Sequence, residues 1–95
     1  MNIYSITATT YKLIFTIDST GYEKPICKID SISNGFATCA NQITIKLWSE
    51  APYKAAPFKE IAGLTSFNSI LYLKDQNVLL CGGNFNIYVY SMVSY

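Results

Sequence analysis

Hydrophobic and polar residues alternate along most of this chain with a period of two, which is the spacing of a β-strand. The segments ITIKLW at 43–48 and NIYVY at 86–90 show the alternation most clearly. No window carries the i, i+3, i+4, i+7 stripe of an amphipathic helix, and strong helix formers are thinly spread. The pattern predicts an all-β chain with strands at 11–17, 25–30, 35–40, 43–48, 57–62, 68–73, 77–82 and 86–90.

The segments between the predicted strands have the composition of turns. Asn41-Gln42 and Gly83-Asn84 combine residues that tight turns favour. The longest gap, 49–56, ends at a proline and is expected to form a surface excursion before an edge strand. The first ten residues, rich in Thr and Ser, are expected to be either a leader or an irregular strand.

The most informative feature of the sequence is an internal repeat. Residues 36–49 (FATCANQITIKLWS) and 78–91 (VLLCGGNFNIYVYS) align at an offset of 42 residues. The alignment pairs Trp48 with Tyr90, Ile45 with Ile87 and Cys39 with Cys81; the same offset pairs Gly21 with Gly63. This length and pattern are typical of propeller blades. Because one blade cannot bury its own faces, we expect the chain to be part of a larger assembly.

Composition narrows the classes of function. The chain has 95 residues, of which 51% are hydrophobic and 14% charged, with a net charge of +1, so we expect one folded domain at most. All seven basic residues are lysines and they are scattered singly. Nucleic-acid binding is not expected, because such proteins present a clustered basic face and use arginine for phosphate and base contacts.

The sequence offers little for catalysis. It contains no histidine, and no nucleophile, Walker or dinucleotide-binding pattern. The six carboxylates are interpreted as solvated residues at turns and strand ends, although a paired arrangement remains open. Gly82-Gly83 could suggest a phosphate-binding loop, but no helix follows it. These glycines are interpreted as the end of a strand, where their small size allows close packing. We therefore expect no enzyme activity, cofactor or metal.

The three cysteines, Cys27, Cys39 and Cys81, form no C-x-x-C pair. Cys39 and Cys81 fall at the same place in the two repeats and are predicted to pack as small hydrophobic residues. The odd count and the lack of a signal peptide indicate a reducing compartment, the cytoplasm or nucleus. Residues 76–95 carry no charge, but their glycines, asparagines and period-two alternation argue against a membrane span.

The segments FATCA and ITIKLWS, joined by a polar turn, resemble the closing strands of a WD repeat, and the likeness extends over residues 11–91. It implies antiparallel β-propeller blades. The chain departs from that family at the Gly-His position, occupied by Gly21-Tyr22 and Gly63-Leu64, and at the turn Asp, replaced by Gln42 and Asn84. Without histidine the family's buried Asp–His–Ser–Trp hydrogen-bond network cannot form, so we expect these blades to rely on packing.

The second repeat, with its Gly-Gly and strand pattern, is similar to the second blade of the phospholipase-A2-activating protein family. Those proteins are ubiquitin-binding adaptors that work with the Cdc48 segregase. The resemblance implies a non-catalytic interaction module, formed by the opening blades of a ubiquitin-binding propeller. The domains of that family that follow its opening blades have no counterpart in these residues, so segregase binding is not implied for them. The alternative is a structural fragment of another WD-repeat scaffold with an unrelated protein or peptide partner.

The blade interpretation assigns residues 25–62 to one complete four-stranded blade and 68–90 to three strands of the next. The strand at 11–17 is then the unpaired outer strand of a neighbouring blade. Because open strand edges and bare apolar faces promote association, we expect the isolated chain to self-associate. The forms considered are a ring of three or four chains, a dimer that exchanges residues 11–17, and an aggregate.

Loops at one rim of a propeller usually carry recognition. The predicted protein-binding rim consists of Tyr22, Glu23, Lys24, Asn41, Gln42, Ser66, Phe67, Asn84 and Phe85. Phe67, in an expected loop at 65–67, and Phe85, in a tight turn, are the candidate aromatic anchors. For Phe67 the alternative is that the ring folds back into the core.

Overall fold

The computed structural model describes residues 1–6, 11–17 and 20–92, and within them it contains strands and no helix. The nine strands are β1 (Asn2–Ile6), β2 (Tyr11–Thr16), β3 (Lys28–Ile32), β4 (Gly35–Cys39), β5 (Gln42–Ser49), β6 (Lys59–Phe67), β7 (Ser69–Leu73), β8 (Val78–Gly82) and β9 (Ile87–Ser91). The predicted all-β class and all eight predicted strands are confirmed. Two boundaries differ substantially: β3 begins only at Lys28, after Pro25, and β6 continues to Phe67.

The strands form three separate antiparallel sheets, none of which closes on itself. They are a two-stranded sheet β1-β2, a four-stranded sheet β3-β4-β5-β6 and a three-stranded sheet β7-β8-β9. The order β3-β4-β5 recurs as β7-β8-β9, so the internal repeat of the sequence has a structural counterpart. The four-stranded sheet has one additional strand, β6.

The prediction that residues 11–17 form an unpaired strand is wrong. β2 pairs antiparallel with β1, and the register shifts between Ile3 and Tyr4. The backbone N–H of Ile17 donates to the carbonyl of Met1 at 2.8 Å, and the amino group of Met1 donates back to Ile17 at 3.1 Å. Of the two expectations for the first ten residues, the irregular strand is confirmed for residues 2–6, while residues 7–10 lie outside the described part.

The main core lies between the four-stranded and three-stranded sheets. The buried side chains that form it are Ile32, Ala37, Cys39, Ile45, Leu47, Phe67, Ile70, Leu79, Cys81 and Met92, with Tyr72, Tyr88 and Tyr90 packed against them. The predicted packing role of Cys39 and Cys81 is confirmed, because both are fully buried in this core. The face of the three-stranded sheet that turns toward this core is called its inner face below.

The two cysteines occupy equivalent places, as the alignment predicts, because Cys39 lies opposite Lys28 and Cys81 lies opposite Ile70, both 42 residues further on. The next hairpin departs from this offset. Thr38 lies opposite Lys46 in β4-β5, whereas Leu80 lies opposite Val89 in β8-β9. The β8-β9 hairpin therefore contains one more residue than an offset of 42 provides. Because side chains alternate between the two faces of a sheet, one extra residue exchanges the faces. The exchange affects β9 alone, so Ile87 turns away from the inner face and Tyr88 takes the place beside the core that corresponds to Ile45.

The other face of the four-stranded sheet lies beside β1 and β2. Trp48 is buried there with its ring stacked on Phe36 at a centroid distance of 6.3 Å. A groove of about 300 Å³ between this face and β1 is lined by Met1, Asn2, Ile3, Tyr4, Ile29, Phe36 and Tyr53. The outer face of the three-stranded sheet, by contrast, leaves Leu71, Ile87 and Val89 exposed.

Candidate functional site

The predicted rim residues come together at one end of the two larger sheets. The backbone N–H of Glu23 donates to the Oε1 atom of Gln42 at 3.0 Å, and the Nζ atom of Lys24 donates to the carbonyl of Asn41 at 3.4 Å. The backbone N–H of Asn41 donates to the carbonyl of Phe67 at 3.0 Å. Segment 22–24, the β4-β5 turn and the end of β6 therefore form one continuous surface, called the rim.

The β4-β5 turn at the centre of the rim is shaped by Asn41. This residue has a φ of 56°, in the left-handed region that asparagine tolerates better than most residues. The Asn41 side chain is exposed. The backbone carbonyl of Asn41 accepts the hydrogen bond from the Nζ atom of Lys24. The turn thus offers a hydrogen-bond acceptor to this exposed basic side chain.

The β8-β9 turn extends the rim to the three-stranded sheet. A Cβ atom on Gly83 would lie 2.7 Å from Cγ2 of Thr65 and 3.5 Å from the carbonyl oxygen of Ser66, so only glycine allows this approach. The N–H of Gly83 donates to the carbonyl of Asn86 at 3.0 Å, which closes the turn. Asn84 and Phe85 project from it, and Phe85 is 98% exposed.

One expectation about β6 is wrong, and the structure decides between the two alternatives for Phe67. Residues 65–67 are not a loop, because β6 continues along β5 until Phe67 pairs with Gln42. Phe67 is fully buried and its ring meets those of Tyr88 and Tyr90 edge-on, at centroid distances of 5.7 and 6.4 Å. Phe67 is therefore a core residue, the alternative considered from the sequence, and Ser66 is a half-buried strand residue.

A buried polar cluster lies behind the rim. The hydroxyl of Tyr22 donates to the carbonyl of Thr38 at 2.7 Å and lies 3.0 Å from the Thr38 hydroxyl. The Nε1 atom of Trp48 donates to the same Thr38 hydroxyl at 2.9 Å, and the N–H of Lys46 donates to the Tyr22 hydroxyl at 3.1 Å. The expectation that this sheet relies on packing alone is wrong, because Tyr22 supplies a hydrogen-bonding group at the position where the resemblance places histidine.

Lys46 adds a charge to this cluster. It is largely buried, and its Nζ atom lies 3.1 Å from Oε1 of Glu60 and 4.9 Å from the centroid of the Tyr22 ring. A buried ammonium group is costly unless it is paired, and here it has both a carboxylate and an aromatic face. Burial raises the pKa of Tyr22, although its hydrogen bonds to Thr38 and Lys46 partly offset the effect.

Sequence reasoning missed Thr38, Lys46 and Glu60 as members of this cluster. Thr38 and Lys46 are polar residues that alternate with apolar ones in β4 and β5, which is also the pattern of a half-exposed sheet. The covering of Thr38 and Lys46 by Tyr22 could not be read from that alternation. The useful signal was Tyr22, since a tyrosine directly after Gly21 stands at the position where the resemblance expects a buried hydrogen-bonding residue.

The cysteines form a second chemical feature near the rim. The Sγ atoms of Cys27 and Cys39 are 3.4 Å apart, and the Cys27 thiol also lies 3.3 Å from the carbonyl of Cys39. The pKa of the Cys39 thiol is raised to about 12, mainly by burial and secondarily by the neighbouring Cys27. Burial alone raises the pKa of Cys81 to about 12.

Within residues 1–6, 11–17 and 20–92, no three His, Cys, Asp or Glu side chains cluster closely enough to hold a metal ion. The same residues form no helix of the length and apolarity that crossing a membrane requires. Comparison of the chain with protein-family models, with curated proteins and with solved structures found no match.

Proposed function

We propose that this chain is a non-catalytic protein-interaction module whose rim binds a protein partner. The proposal includes a finer architecture, in which the four-stranded and three-stranded sheets are successive blades of a WD-repeat-like β-propeller. Two observations support the blades: the strand order β3-β4-β5 recurs as β7-β8-β9, and the two sheets pack face to face around one core.

The observation that carries the binding proposal is the position of Phe85. Its ring is 98% exposed, although the turn below it is fixed by the close approach of Gly83 to β6. An exposed aromatic side chain can bury a large apolar area on binding at a low cost in conformational entropy, because it has only two side-chain torsions. Such residues frequently contribute most of the affinity of a protein interface.

The remaining rim residues suggest the character of the partner surface. Glu23 and Lys24 carry opposite charges, and Asn41, Gln42 and Asn84 offer amide groups. A partner that combines a small apolar patch with polar surroundings fits this surface better than a strongly charged one. Ubiquitin is the partner we propose first, and this choice rests on the resemblance to the ubiquitin-binding adaptors of the Cdc48 pathway.

Affinity for ubiquitin, measured by titration calorimetry, tests the proposal. Phe85→Ala should weaken binding about 30-fold or more, because a central aromatic anchor contributes about 2 kcal/mol or more. Phe58→Ala is the matched control, since Phe58 is a partly exposed phenylalanine just before β6, at the opposite end of the sheet. Equal affinities of the two variants would exclude the rim, and no binding by the unaltered chain would favour the scaffold alternative.

We also propose that copies of the chain associate through the outer face of the three-stranded sheet. Leu71, Ile87 and Val89 are exposed on that face, and β9 pairs only with β8 among the described strands. Apolar faces and open strand edges both favour association. An exchange of residues 11–17 alone is no longer favoured, because β2 is already paired with β1.

Light scattering coupled to size exclusion tests the self-association. We expect a mass above that of one chain at tens of micromolar, and a lower mass for Val89→Lys, because a charge on this face opposes its burial. Lys54→Ala, in the β5-β6 loop, is the control that should leave the mass unchanged. A monomer at all concentrations would contradict this part of the proposal.

A further inference from the structure

Two of the three thiols lie close to each other. The Sγ atoms of Cys27 and Cys39 are 3.4 Å apart; Cys27 is exposed and Cys39 is buried in the core. We propose that Cys27 and Cys39 form a reversible disulfide, and that the exposed thiol of Cys27 is the site at which a small-molecule disulfide enters. The inference is independent of the partner that the rim binds.

The backbone already holds the two residues in the required positions. The N–H of Cys27 donates to the carbonyl of Cys39 at 2.9 Å, which fixes the residue before β3 against the end of β4. The sulfur atoms need to approach by about 1.4 Å to reach the usual bond length of about 2.05 Å. Rotations of the two side chains can supply a movement of this size without shifting the strands.

The structure also specifies the pair. Cys81 is fully buried on β8, in the other large sheet, and its thiol donates to the carbonyl of Leu79 within its own strand. Cys27, in contrast, has its sulfur within 3.3 Å of the Cys39 carbonyl and 3.5 Å of the Asn68 carbonyl. An oxidant that reaches Cys27 from solvent therefore finds Cys39 as the adjacent thiol.

The reaction proceeds by two exchanges with a low-molecular-weight disulfide such as glutathione disulfide. First, the Cys27 thiolate attacks one sulfur of the reagent, which gives a mixed disulfide on Cys27 and releases one glutathione thiolate. Second, the Cys39 thiolate attacks the Cys27 sulfur, which closes the protein disulfide and releases the other glutathione. Two protein thiols are oxidised, one reagent disulfide is reduced, and the two thiol protons pass to the released thiolates.

Burial sets the order and the pH dependence of the steps. Cys27 reacts first because it is exposed, and Cys39 closes the bond more slowly because burial raises its pKa to about 12. The thiolate is the attacking form, so the closing rate should rise about tenfold for each unit of pH between 7 and 9.

The disulfide would attach one side of the rim covalently to the sheet beneath it. Segment 20–27 contains Tyr22, Glu23 and Lys24, which are connected to β4 and β5 mainly by side-chain hydrogen bonds. Oxidation adds a covalent link at the end of this segment. Amide hydrogen exchange in the segment should therefore be slower in the oxidised chain than in the reduced chain.

Peptide mapping tests the proposal directly. The reduced chain is incubated with glutathione disulfide, quenched in acid, alkylated and digested with trypsin; each cysteine then lies in its own peptide, 13–28, 29–46 or 75–95. We expect peptide 13–28 joined to peptide 29–46, with the loss of two hydrogen atoms, and recovery of both peptides after reduction. Cys81→Ser should retain the product, and Cys27→Ser, an exposed substitution that leaves the core intact, should abolish it.

An equal mixture of 15N-labelled and unlabelled chain separates closure within one chain from a link between chains. Only uniformly labelled and uniformly unlabelled joined peptides are expected. The proposal is overturned by a product of mixed labelling, by a bond to peptide 75–95, or by a glutathione adduct on Cys27 that does not proceed to closure at pH 9.

Discussion

The four-stranded and three-stranded sheets share a strand order and a repeated sequence, yet two residues that the alignment pairs have opposite surroundings. Ile45 in β5 is fully buried, whereas Ile87 in β9 is 76% exposed, because the longer β8-β9 hairpin turns it to the outer face. The four-stranded sheet lies between the other two sheets, while the three-stranded sheet has a neighbour on its inner face only. The comparison teaches that the length of the hairpin decides on which face a residue lies, and that the position of the sheet in the stack decides whether that face is buried.

A second difference concerns how the two sheets fill equivalent places. The hydroxyl of Thr38 accepts a hydrogen bond from the indole N–H of Trp48 and lies 3.0 Å from the hydroxyl of Tyr22. At the corresponding place the three-stranded sheet has the apolar, partly buried side chain of Leu80. One sheet therefore has a polar network on this face, and the other has an apolar side chain at the same place.

The largest expected effect of a single substitution comes from adding one methyl group to the four-stranded sheet. A Cβ atom on Gly35 would overlap the backbone carbonyl oxygen of Trp48 and separate β4 from β5. Gly35→Ala should therefore lower the free energy of unfolding by about 4 kcal/mol or more, measured by urea denaturation. The matched change Gly82→Ala meets only the movable hydroxyl of Ser69, so about 1 kcal/mol is expected. Equal losses would contradict the close approach at Gly35.

Truncation of the paired isoleucines tests the difference in burial. Ile45→Ala removes a fully buried side chain and should lower the free energy of unfolding by about 3 kcal/mol. Ile87→Ala should change it by less than about 0.5 kcal/mol in the monomer, because Ile87 is already exposed. Urea denaturation at low protein concentration provides both values. A similar loss at Ile87 would mean that its face is covered within one chain.

Loss of the Thr38 hydroxyl tests the polar cluster. Thr38→Val keeps the volume but leaves the indole N–H of Trp48 without its acceptor, so the free energy of unfolding should fall by about 2 kcal/mol. Thr44→Val, on the half-buried part of β5, serves as the control and should have a smaller effect. If both substitutions behaved alike, the cluster would not contribute to stability.

Raising the pH above about 9 should lower the free energy of unfolding gradually. The folded chain keeps the protons of Cys39 and Cys81 up to about pH 12, whereas the unfolded chain releases them near pH 9. A raised folded-state pKa stabilises the fold fully below the unfolded value, and that stabilisation is lost as the pH rises from about 9 toward 12. The free energy of unfolding should fall by up to about 1.4 kcal/mol per pH unit for each thiol.

Cys81→Ala provides the control for this pH dependence. The variant should begin with lower stability but lose less of it between pH 9 and 12, because one of the two raised pKa values is gone. Burial also raises the pKa of Tyr22 and Tyr90, and their contribution declines only above pH 10. Stability that is constant from pH 8 to 12 would contradict the burial of these groups.

The strands were predicted well because the alternation of apolar and polar residues is the expected pattern of a sheet with one buried face. The sequence predicted β1 only as one of two alternatives for the first ten residues, since these are rich in Ser and Thr and show little alternation. The last part of β6 was also missed, because Gly63 and the polar pair Thr65-Ser66 have the composition of a loop. Their strand conformation is imposed by pairing with β5, a contact that no local pattern encodes.

The sequence indicated the end of the sheets at which the candidate residues lie, but not which of their side chains are exposed. The turn residues around Asn41 and Gly83 indicated one end of the sheets, and Phe85 is exposed there. Phe67 was assigned to the same surface, although its ring belongs to the core. The extra residue in the β8-β9 hairpin could not be predicted, because a one-residue change of turn length leaves the alternation of both strands intact.

A nuclear magnetic resonance titration of the 15N-labelled chain with ubiquitin tests the central proposal most directly. We predict that shift changes are confined to segment 22–24, the β4-β5 turn and the β8-β9 turn, with the largest changes at and beside Phe85. An absence of shift changes, or changes confined to the outer face around Leu71 and Val89, would contradict the proposed rim interface.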